Sequence, residues 1–203
     1  MASVSYPAER WRVGSCTFST RLPWGKLPVA PPAKARSEVD QLCPRCGLCC
    51  DSVLFADVEL RKGDDPQRLQ QLGLTLKKKG ASKQAFSQPC ACFDGKLCGI
   101  YADRPRRCRT FECGLLKRVK AGTLEVKAAL KKIDSAKQLA DQVRQLLRAH
   151  GQKDETLALT HRYAAAMSAP VSLADEAGAE RHGELMLAVS VLMQQLQKDF
   201  LRE

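Results

Sequence analysis

Nine of the ten cysteines in this chain of 203 residues lie between positions 43 and 113, at spacings that suit a metal ion. The first group is the run Cys43-Pro-Arg-Cys46-Gly-Leu-Cys49-Cys50, and the second group is made of Cys90, Cys92, Cys98, Cys108 and Cys113. Two cysteines separated by two residues can bind one ion, because the turn between them directs both sulfurs inward and offers backbone N–H groups to them. The pattern therefore predicts a thiolate metal site.

Other uses of so many thiols fit less well. The cluster contains nine cysteines, an odd number, and the N-terminal sequence lacks the pattern of a secretory signal. Both observations argue against a disulfide framework. A buried structural thiol explains the isolated Cys16 better than a triplet at fixed spacing. Zinc needs four ligands in a tetrahedron, which Cys43 and Cys46 could supply with a pair from the second group. The C-x-x-C-x-x-C spacing is also the one with which bacterial ferredoxins bind an iron–sulfur cluster, whose fourth thiolate comes from elsewhere.

Cys49 and Cys50 are adjacent, which limits how both can bind metal. Neighbouring side chains diverge in extended backbone, so both would enter one tetrahedron only with strain. Either one of them is a ligand and the other packs, or the chain holds two centres. The sequence does not distinguish a single metal centre from two.

Other residue types give weaker signals. The three histidines, His150, His161 and His182, lie in the C-terminal part, and we interpret them as surface or helix-end residues. The carboxylates near the cysteines are interpreted as caps, turn residues or ion-pair partners: Asp51, Asp94, Asp103 and Glu112. No G-x-S-x-G, P-loop, dinucleotide-binding or H-E-x-x-H motif is found. With this many thiols no single catalytic nucleophile stands out, so catalytic residues stay unassigned and the question of an enzyme stays open.

Composition is that of a globular protein, with 44% apolar and 27% charged residues. Residues 1–40 are interpreted as a flexible leader and linker, marked by Pro28, Pro31 and Pro32. They contain Ser and Arg and few acidic residues, and a proline-rich leader is favoured over a transit peptide. No secretory or transmembrane segment is evident, so we expect a reducing, cytoplasmic location and no membrane partner.

The net charge of +11 raises nucleic acid as a partner. The excess is spread along the chain, and the run Lys77-Lys78-Lys79 with Lys83 beside Gly80 is interpreted as a solvated turn without interleaved aromatic residues. A second cluster surrounds Cys108 and consists of Arg104, Arg106, Arg107 and Arg109. Guanidinium groups near thiolates would offset the negative charge of a sulfur-rich site. Nucleic acid is therefore possible but not favoured, and a protein partner is unknown.

The cysteine segment, residues 41–120, carries signals for short mixed elements. Alternating apolar residues predict a half-buried strand over residues 54–60. Asp65 before Pro66 predicts the start of a helix over residues 67–72, and Gly73 its end.

Two further signals concern the second cysteine group. Asp94-Gly95 predicts a hairpin with Cys92 and Cys98 facing each other. Asp103 is expected to cap a helix that carries Cys108.

Residues 121–203 show helical periodicity and no cysteine. A helix from Val126 is expected to end at Gly151, a second to span residues 155–167, and a third to begin at a Ser172 cap. Met186 and Met193 are interpreted as core-filling residues. The predicted fold is α+β: a small irregular cysteine-rich module, with short strands, a hairpin and short helices, packed on a C-terminal antiparallel helical bundle.

The motif as a whole resembles a known family. The run Cys43 to Cys50, followed by Cys90-Ala91-Cys92-Phe93, Cys98-Gly99-Ile100-Tyr101, Arg104-Pro105 and Cys108-Arg109, is similar to the CxxCxxCC cysteine-cluster proteins, which are described as a zinc- or iron-chelating domain. The resemblance covers residues 41–114, about a third of the chain. Similar patterns occur in proteins linked to flagellin lysine methylation, so the resemblance leaves a metal-dependent enzyme open.

The resemblance and the spacing together imply a protein that chelates zinc or iron through both cysteine groups. The first-ranked ligands are Cys43, Cys46, Cys49, Cys50, Cys90, Cys98 and Cys108, followed by Cys92 and Cys113. An iron–sulfur enzyme or electron carrier, and an interaction module with structural zinc, are the alternatives.

The other residues of the motif have physical roles too. Gly47 is expected to turn with positive φ, and Ile100 and Tyr101 to cover the site. Arg104 is expected to pair with a carboxylate or a sulfur, and Pro105 to start the helix that delivers Cys108.

Overall fold

The computed structural model describes residues 38–80, 82–170 and 175–202. Most of the predicted leader, with Cys16 and the three linker prolines, lies outside the described residues, as does Ser172. The elements in chain order are α1 (Glu38–Cys46), β1 (Asp57–Glu59), α2 (Pro66–Gln71), β2 (Leu76–Lys79), β3 (Lys83–Ser87), α3 (Arg106–Thr110), α4 (Gly114–Lys120), α5 (Val126–Ala149), α6 (Leu159–Ser168) and α7 (Glu176–Leu196), which continues as a π-helical turn over Gln197–Leu201.

The three strands form one antiparallel sheet in the order β1-β3-β2. Phe86 of β3 lies opposite Val58 of β1 and Leu76 of β2, and Phe86 and Val58 are buried. The predicted strand over residues 54–60 is therefore too long. Its first half belongs instead to a hydrogen-bonded turn that follows the first cysteine group, so only three residues remain to pair.

The lysine run is not the solvated turn that the sequence suggested. Residues 77–79 lie on β2, Lys83 begins β3, and Gly80, with a φ of +71°, is the first residue of the turn between them. Lys79 pairs with Asp57 at 2.8 Å and with Glu59 at 3.3 Å, and Lys83 also pairs with Glu59. Lys83 thus meets an opposite charge on the neighbouring strand β1, and the long side chain of Lys79 reaches the same carboxylates from the far side of β3.

Several predicted helix boundaries are confirmed. Asp65 caps α2 by accepting from the Arg68 N–H at 3.0 Å, Pro66 is its first residue, and Gly73 follows with a φ of +99°. Helix α5 ends at Ala149 and is followed by Gly151 with a φ of +79°. These signals are local, because a cap or a positive φ concerns only neighbouring residues.

Three other boundaries differ from the prediction. Asp103 does not cap α3. That role falls to Asp64, whose Oδ1 accepts from the Arg106 N–H at 2.7 Å. Helix α6 begins at Leu159, later than residue 155, and α7 is capped by Asp175, which accepts from the Gly178 N–H at 3.0 Å.

Two hydrophobic clusters hold the described residues together. The larger joins α1, α4, α5, α6 and α7, and α5 contributes alanines that are fully buried, namely Ala129, Ala136 and Ala140. The smaller joins the sheet, α2 and the second cysteine group through Val58, Leu69, Leu74, Phe86, Cys90 and Ile100. The mixed class, helices with a small antiparallel sheet, is confirmed. The division at residues 40 and 120 stays a prediction.

Met186 and Met193 do not fill the core. Their exposed fractions are 55% and 39%, whereas Leu185, Leu192 and Leu196 of the same helix are buried. The prediction was wrong because the leucines form the buried face of α7. Each methionine is the next residue after a buried leucine, Leu185 or Leu192, and so lies off that face.

Asp199 is a buried carboxylate that fastens the C-terminal turn to two other helices. Its Oδ1 accepts from Lys132 of α5 at 2.8 Å and from Arg118 of α4 at 3.2 Å. Burial alone would raise the pKa of Asp199, but the hydrogen bonds from the two cations outweigh burial, and the pKa is lowered from the usual 3.8.

We expect Asp199→Asn to lower the free energy of unfolding by about 1–3 kcal/mol at neutral pH, since two cations lose their buried acceptor. The pKa is lowered on folding, so the stabilisation is complete above 3.8 and is lost as the pH falls through the folded value. Urea unfolding of both proteins at several pH values measures this. The exposed Asp134→Asn serves as control, and an equal loss in both variants would contradict the role of Asp199.

Candidate metal centre

The first cysteine group lies on the end of α1 and the turn that follows it. Cys43 and Cys46 are on the helix, three positions apart and so on the same face in successive turns. Gly47 then reverses the chain with a φ of +71°, which confirms the predicted turn. The Gly47 carbonyl accepts from the N–H groups of Cys50 at 2.8 Å and Asp51 at 2.9 Å. This compact turn fixes the directions in which Cys49 and Cys50 leave the backbone.

The second group is tied to that turn at two points. A Cβ atom at Gly47 would lie 2.6 Å from the Cζ atom of Phe93, so the aromatic ring occupies the space of a side chain. The N–H of Cys90 donates to the carbonyl of Cys50 at 2.8 Å. The two halves of the motif, forty residues apart in sequence, are therefore in direct contact.

The predicted hairpin of the second group is confirmed, but its register differs from the prediction, because Cys98 lies opposite Phe93 and not opposite Cys92. Phe93 and Cys98 form an antiparallel bridge, and Gly95 turns with a φ of +91°. The Asp94 side chain holds the turn by accepting from the N–H groups of Lys96 and Leu97 at 2.8 and 2.6 Å. Cys92 and Cys98 are thereby brought to opposite sides of one short loop.

Cys108 and Cys113 come from two short helices. Cys108 lies within α3, and Cys113 is the N-cap residue of α4. The residue after Cys113 must be glycine, because a Cβ atom at Gly114 would collide with the carbonyl oxygen of Arg202. The backbone of Arg202 therefore packs directly against the first residue of α4, the helix that follows Cys113.

Four of the nine thiols form a first mutual set, which we call set A: Cys43, Cys46, Cys49 and Cys113. All four line one small cavity of about 60 Å³. Burial is the largest effect on the pKa of Cys46 and raises it to about 12, with smaller increases from the charges of Cys113 and Cys43. Burial also raises the pKa of Cys49 well above its usual range, and the charges of Cys46, Cys43, Cys50 and Cys113 raise it further.

Every pair of thiols in set A interacts through charge. The set is not isolated, since Cys50 lines the same cavity and acts on Cys49, and Cys98 acts on Cys43. Cys46 and Cys113 also pack against the larger hydrophobic cluster. Four neighbouring thiols match the number of ligands that one tetrahedral site takes.

A second mutual set, set B, is made of Cys50, Cys90, Cys98 and Cys108. Burial raises the pKa of Cys50 to about 12, and the next effects are the charges of Cys90, Cys98 and Cys108. Cys108 shows the same pattern, with burial first and Cys90 and Cys98 next. The remaining pair, Cys90 and Cys98, interacts as well. All four pack in the smaller hydrophobic cluster.

Cys92 is the ninth thiol and has a different partner. Its Sγ donates to the carbonyl of Leu72 at 3.2 Å, and burial, followed by the charge of Cys98, raises its pKa. It also hydrogen-bonds to the side chain of Cys90 in set B, whereas Cys50 and Cys108 are not among the groups that shift its pKa. The sequence ranked Cys113 with Cys92, and only the fold distinguishes the two.

One arginine of the predicted cluster reaches the thiols directly. The Arg104 Cζ lies 3.5 Å above the centre of the Tyr101 ring, and its Nε donates to the Tyr101 carbonyl at 2.9 Å. Burial raises the pKa of Cys43, and the positive charge and hydrogen bond of Arg104 oppose that increase. Arg104 opposes the increase at Cys108 in the same way. It therefore favours thiolate in both sets.

The histidines lie away from the two thiol sets. Nε2 of His150 lies 3.0 Å from the carbonyl of Arg181, and the rings of His150 and His182 are 6.1 Å apart at the end of α5. His161 is exposed on α6. No imidazole lines either thiol set.

The donor set fits zinc or iron in its chemistry. Eight thiols in two groups of four match the soft ligands and the coordination number that these ions take in proteins. Across residues 38–80, 82–170 and 175–202, no three histidine, cysteine, aspartate or glutamate side chains are placed so that they could hold a metal ion. Binding would therefore require the thiol side chains to rearrange.

Replacing Gly47 should disturb the turn and its contact with Phe93. We expect Gly47→Ala to cost about 2 kcal/mol or more of unfolding free energy and to lower the metal content, because strain at positive φ adds to an overlap with the ring. Thermal unfolding and metal analysis measure the two effects.

Gly122→Ala is the matched control for Gly47→Ala. Its φ of +73° is nearly the same, and no atom lies within 4 Å of the added Cβ. An equal loss of stability and of metal in both variants would show that the Phe93 contact is unimportant.

Comparisons with known proteins agree with this site. A family model named CxxCxxCC and described as a "Putative zinc- or iron-chelating domain" matches residues 42–143, which is half of the chain. Searches of curated proteins and of solved structures gave no match. None of the described helices combines the length and apolar character needed to cross a membrane. The match covers half of the chain and contains both thiol sets, so the chain belongs to the CxxCxxCC family, which is described as a zinc- or iron-chelating domain.

Proposed function

We propose that the chain binds two metal ions, zinc or iron, with set A holding one ion and set B holding the other. The observation that carries this proposal is how the thiols pack: Cys43, Cys46, Cys49 and Cys113 line one small cavity, and Cys50, Cys90, Cys98 and Cys108 pack in the smaller hydrophobic cluster. A single centre would leave four of these eight thiols without a metal ion. Two tetrahedral centres use all of them.

The adjacent cysteines support the same division. The largest charge effects on Cys49 come from Cys46 and Cys43 of set A, whereas those on Cys50 come from Cys90, Cys98 and Cys108 of set B. This difference supports a separate ligand set for each of the two neighbours. The strain expected if both entered one tetrahedron does not arise. Cys92 is not needed as a ligand.

The two centres would differ in surroundings. Set A is packed between α1, α4 and the larger hydrophobic cluster, as structural metal sites often are. Three members of set B, Cys50, Cys98 and Cys108, line a larger cavity, and Cys43 and Cys49 of set A line it too. Solvent or a ligand in this cavity could approach set B through three of its four thiols, which leaves room for chemistry beyond structure.

An iron–sulfur cluster at set A is the second candidate. Its support is the spacing of Cys43, Cys46 and Cys49, which is that of bacterial ferredoxins, with Cys113 as the remote fourth thiolate. In that arrangement the chain would carry electrons or support a redox enzyme. Set B would still hold one ion.

Metal counting in single variants tests the division. We expect two equivalents of zinc or iron in the full chain, and one equivalent in both Cys46→Ser and Cys108→Ser, because each change breaks one set of four. Cys92→Ser is the control and should keep two. Mass spectrometry of purified protein gives the metal content, and loss of all metal in both single variants would mean one shared centre.

Labile sulfide distinguishes ions from a cluster. We expect protein purified or reconstituted without oxygen to contain metal and no acid-labile sulfide, since each set has the four thiolates that one ion needs. A cluster at set A predicts sulfide and visible absorption that disappear in Cys46→Ser and persist in Cys108→Ser. The sulfide assay and the absorption spectrum of the same samples decide between the two.

A further inference from the structure

A cavity of about 340 Å³ lies beside set B and also touches the first cysteine group. Its volume falls within the range of small-molecule sites, about 300–1,000 Å³. One wall is formed by thiols and the opposite wall by β1 and Gln88, and the cavity is larger than a metal ion requires. The space therefore raises the question of a second occupant.

Gln88 is a buried amide in this cavity with an unmet hydrogen-bonding capacity. It follows β3, is 2% exposed, and its backbone N–H donates to the Ala56 carbonyl at 2.9 Å. Within the described residues, its side-chain oxygen accepts no hydrogen bond. A buried acceptor without a partner is unfavourable, so an N–H or O–H group of a bound molecule would be favoured there.

The charges around the cavity favour an anion. Two carboxylates line it, Asp57 and Glu59, but both are paired with lysines of the sheet at 2.8–3.3 Å. Arg61 and Arg107 also line it, and neither side chain has a hydrogen bond or ion pair within the ranges that the structure describes. Guanidinium groups bind carboxylate and phosphate through two parallel hydrogen bonds.

Aromatic rings supply the rest of the wall. Phe55 and Phe111 meet edge to face with their centres 4.9 Å apart, and Tyr101 lies beneath Arg104. These rings present flat apolar surface to the cavity. They suit a ligand with a planar apolar body.

From this geometry we propose that the cavity binds a small organic anion, a carboxylate or a phosphate on a flat apolar body, with Arg61 and Arg107 at the anionic group. Gln88 accepts a hydrogen bond from an N–H or O–H group of the same molecule. This site goes beyond metal chelation and does not depend on which metal the thiols hold.

The test uses the full chain purified with its metal and four probes: 4-hydroxybenzoate, benzoate, phenyl phosphate and the neutral 4-hydroxybenzyl alcohol. We expect saturable binding of the anions by calorimetry or ligand-observed NMR, and weaker binding of the neutral alcohol. Arg107→Gln should weaken binding of the anions about tenfold or more. Stronger binding of one anion type than the other identifies the preferred anionic group.

Arg109→Gln is the matched control, because Arg109 is exposed on the same helix and does not line the cavity. It should leave binding within about twofold of the unchanged chain. Gln88→Leu should remove the advantage of 4-hydroxybenzoate over benzoate. Metal content is measured in every variant, so that loss of ligand is distinguished from loss of the proposed metal centres.

Three results would overturn the proposal. They are an absence of saturable binding by every anionic probe, an equal effect of Arg107→Gln and Arg109→Gln, and a hydroxyl advantage that survives in Gln88→Leu. None of these results bears on the two proposed metal centres, which are tested separately by the metal content of the variants.

Discussion

The turn at Gly47 is the constraint on which the rest of the site depends. Its positive φ and the two hydrogen bonds that its carbonyl accepts fix the backbone that carries the adjacent residues Cys49 and Cys50. The absence of a side chain leaves room for Phe93, which brings the second cysteine group against the first. One glycine thereby sets both the separation of the two thiol sets and their contact.

Burial and the negative charges of neighbouring thiolates both raise the pKa of these thiols, and the positive charge of Arg104 opposes that increase. Burial raises the pKa of the thiols for which a shift is found in both sets, so these thiols hold their protons when no metal is bound. A metal ion has to displace those protons, and its binding therefore weakens as the pH falls. Arg104 reduces the cost at Cys43 and Cys108, which belong to different sets. A single cation placed between two thiol groups thus favours the metal-bound state of each.

Features that depend on neighbouring residues could be predicted from the sequence. The Gly47 turn, the Asp65 cap of α2, the Asp94-Gly95 hairpin and the end of α5 at Gly151 each follow from one or two residue types at fixed offsets. The family resemblance rested on the same local spacings, and the matched region confirms it.

Features that depend on distant residues could not be predicted. The lysines of β2 pair with β3, and Lys79 also reaches Asp57 and Glu59 of β1, about twenty residues earlier, which the charge run alone does not indicate. Asp64 caps α3 from 42 residues away, so the nearer Asp103 was the wrong choice. Cys113 lies beside the cysteines of α1, and the next residue, Gly114, packs against the backbone of Arg202. No local sequence pattern indicates either contact.

The two proposed centres share one short segment, and this makes them energetically dependent on each other. An ion at set A would fix Cys49 and with it the turn that carries Cys50. The Cys50 carbonyl in turn holds the N–H of Cys90, a second member of set B. The entropy of ordering this segment is then lost only once, so binding of the first ion lowers the cost of binding the second. Adjacent cysteines, which look like a redundancy in the sequence, are in this arrangement the covalent link through which each centre stabilises the other.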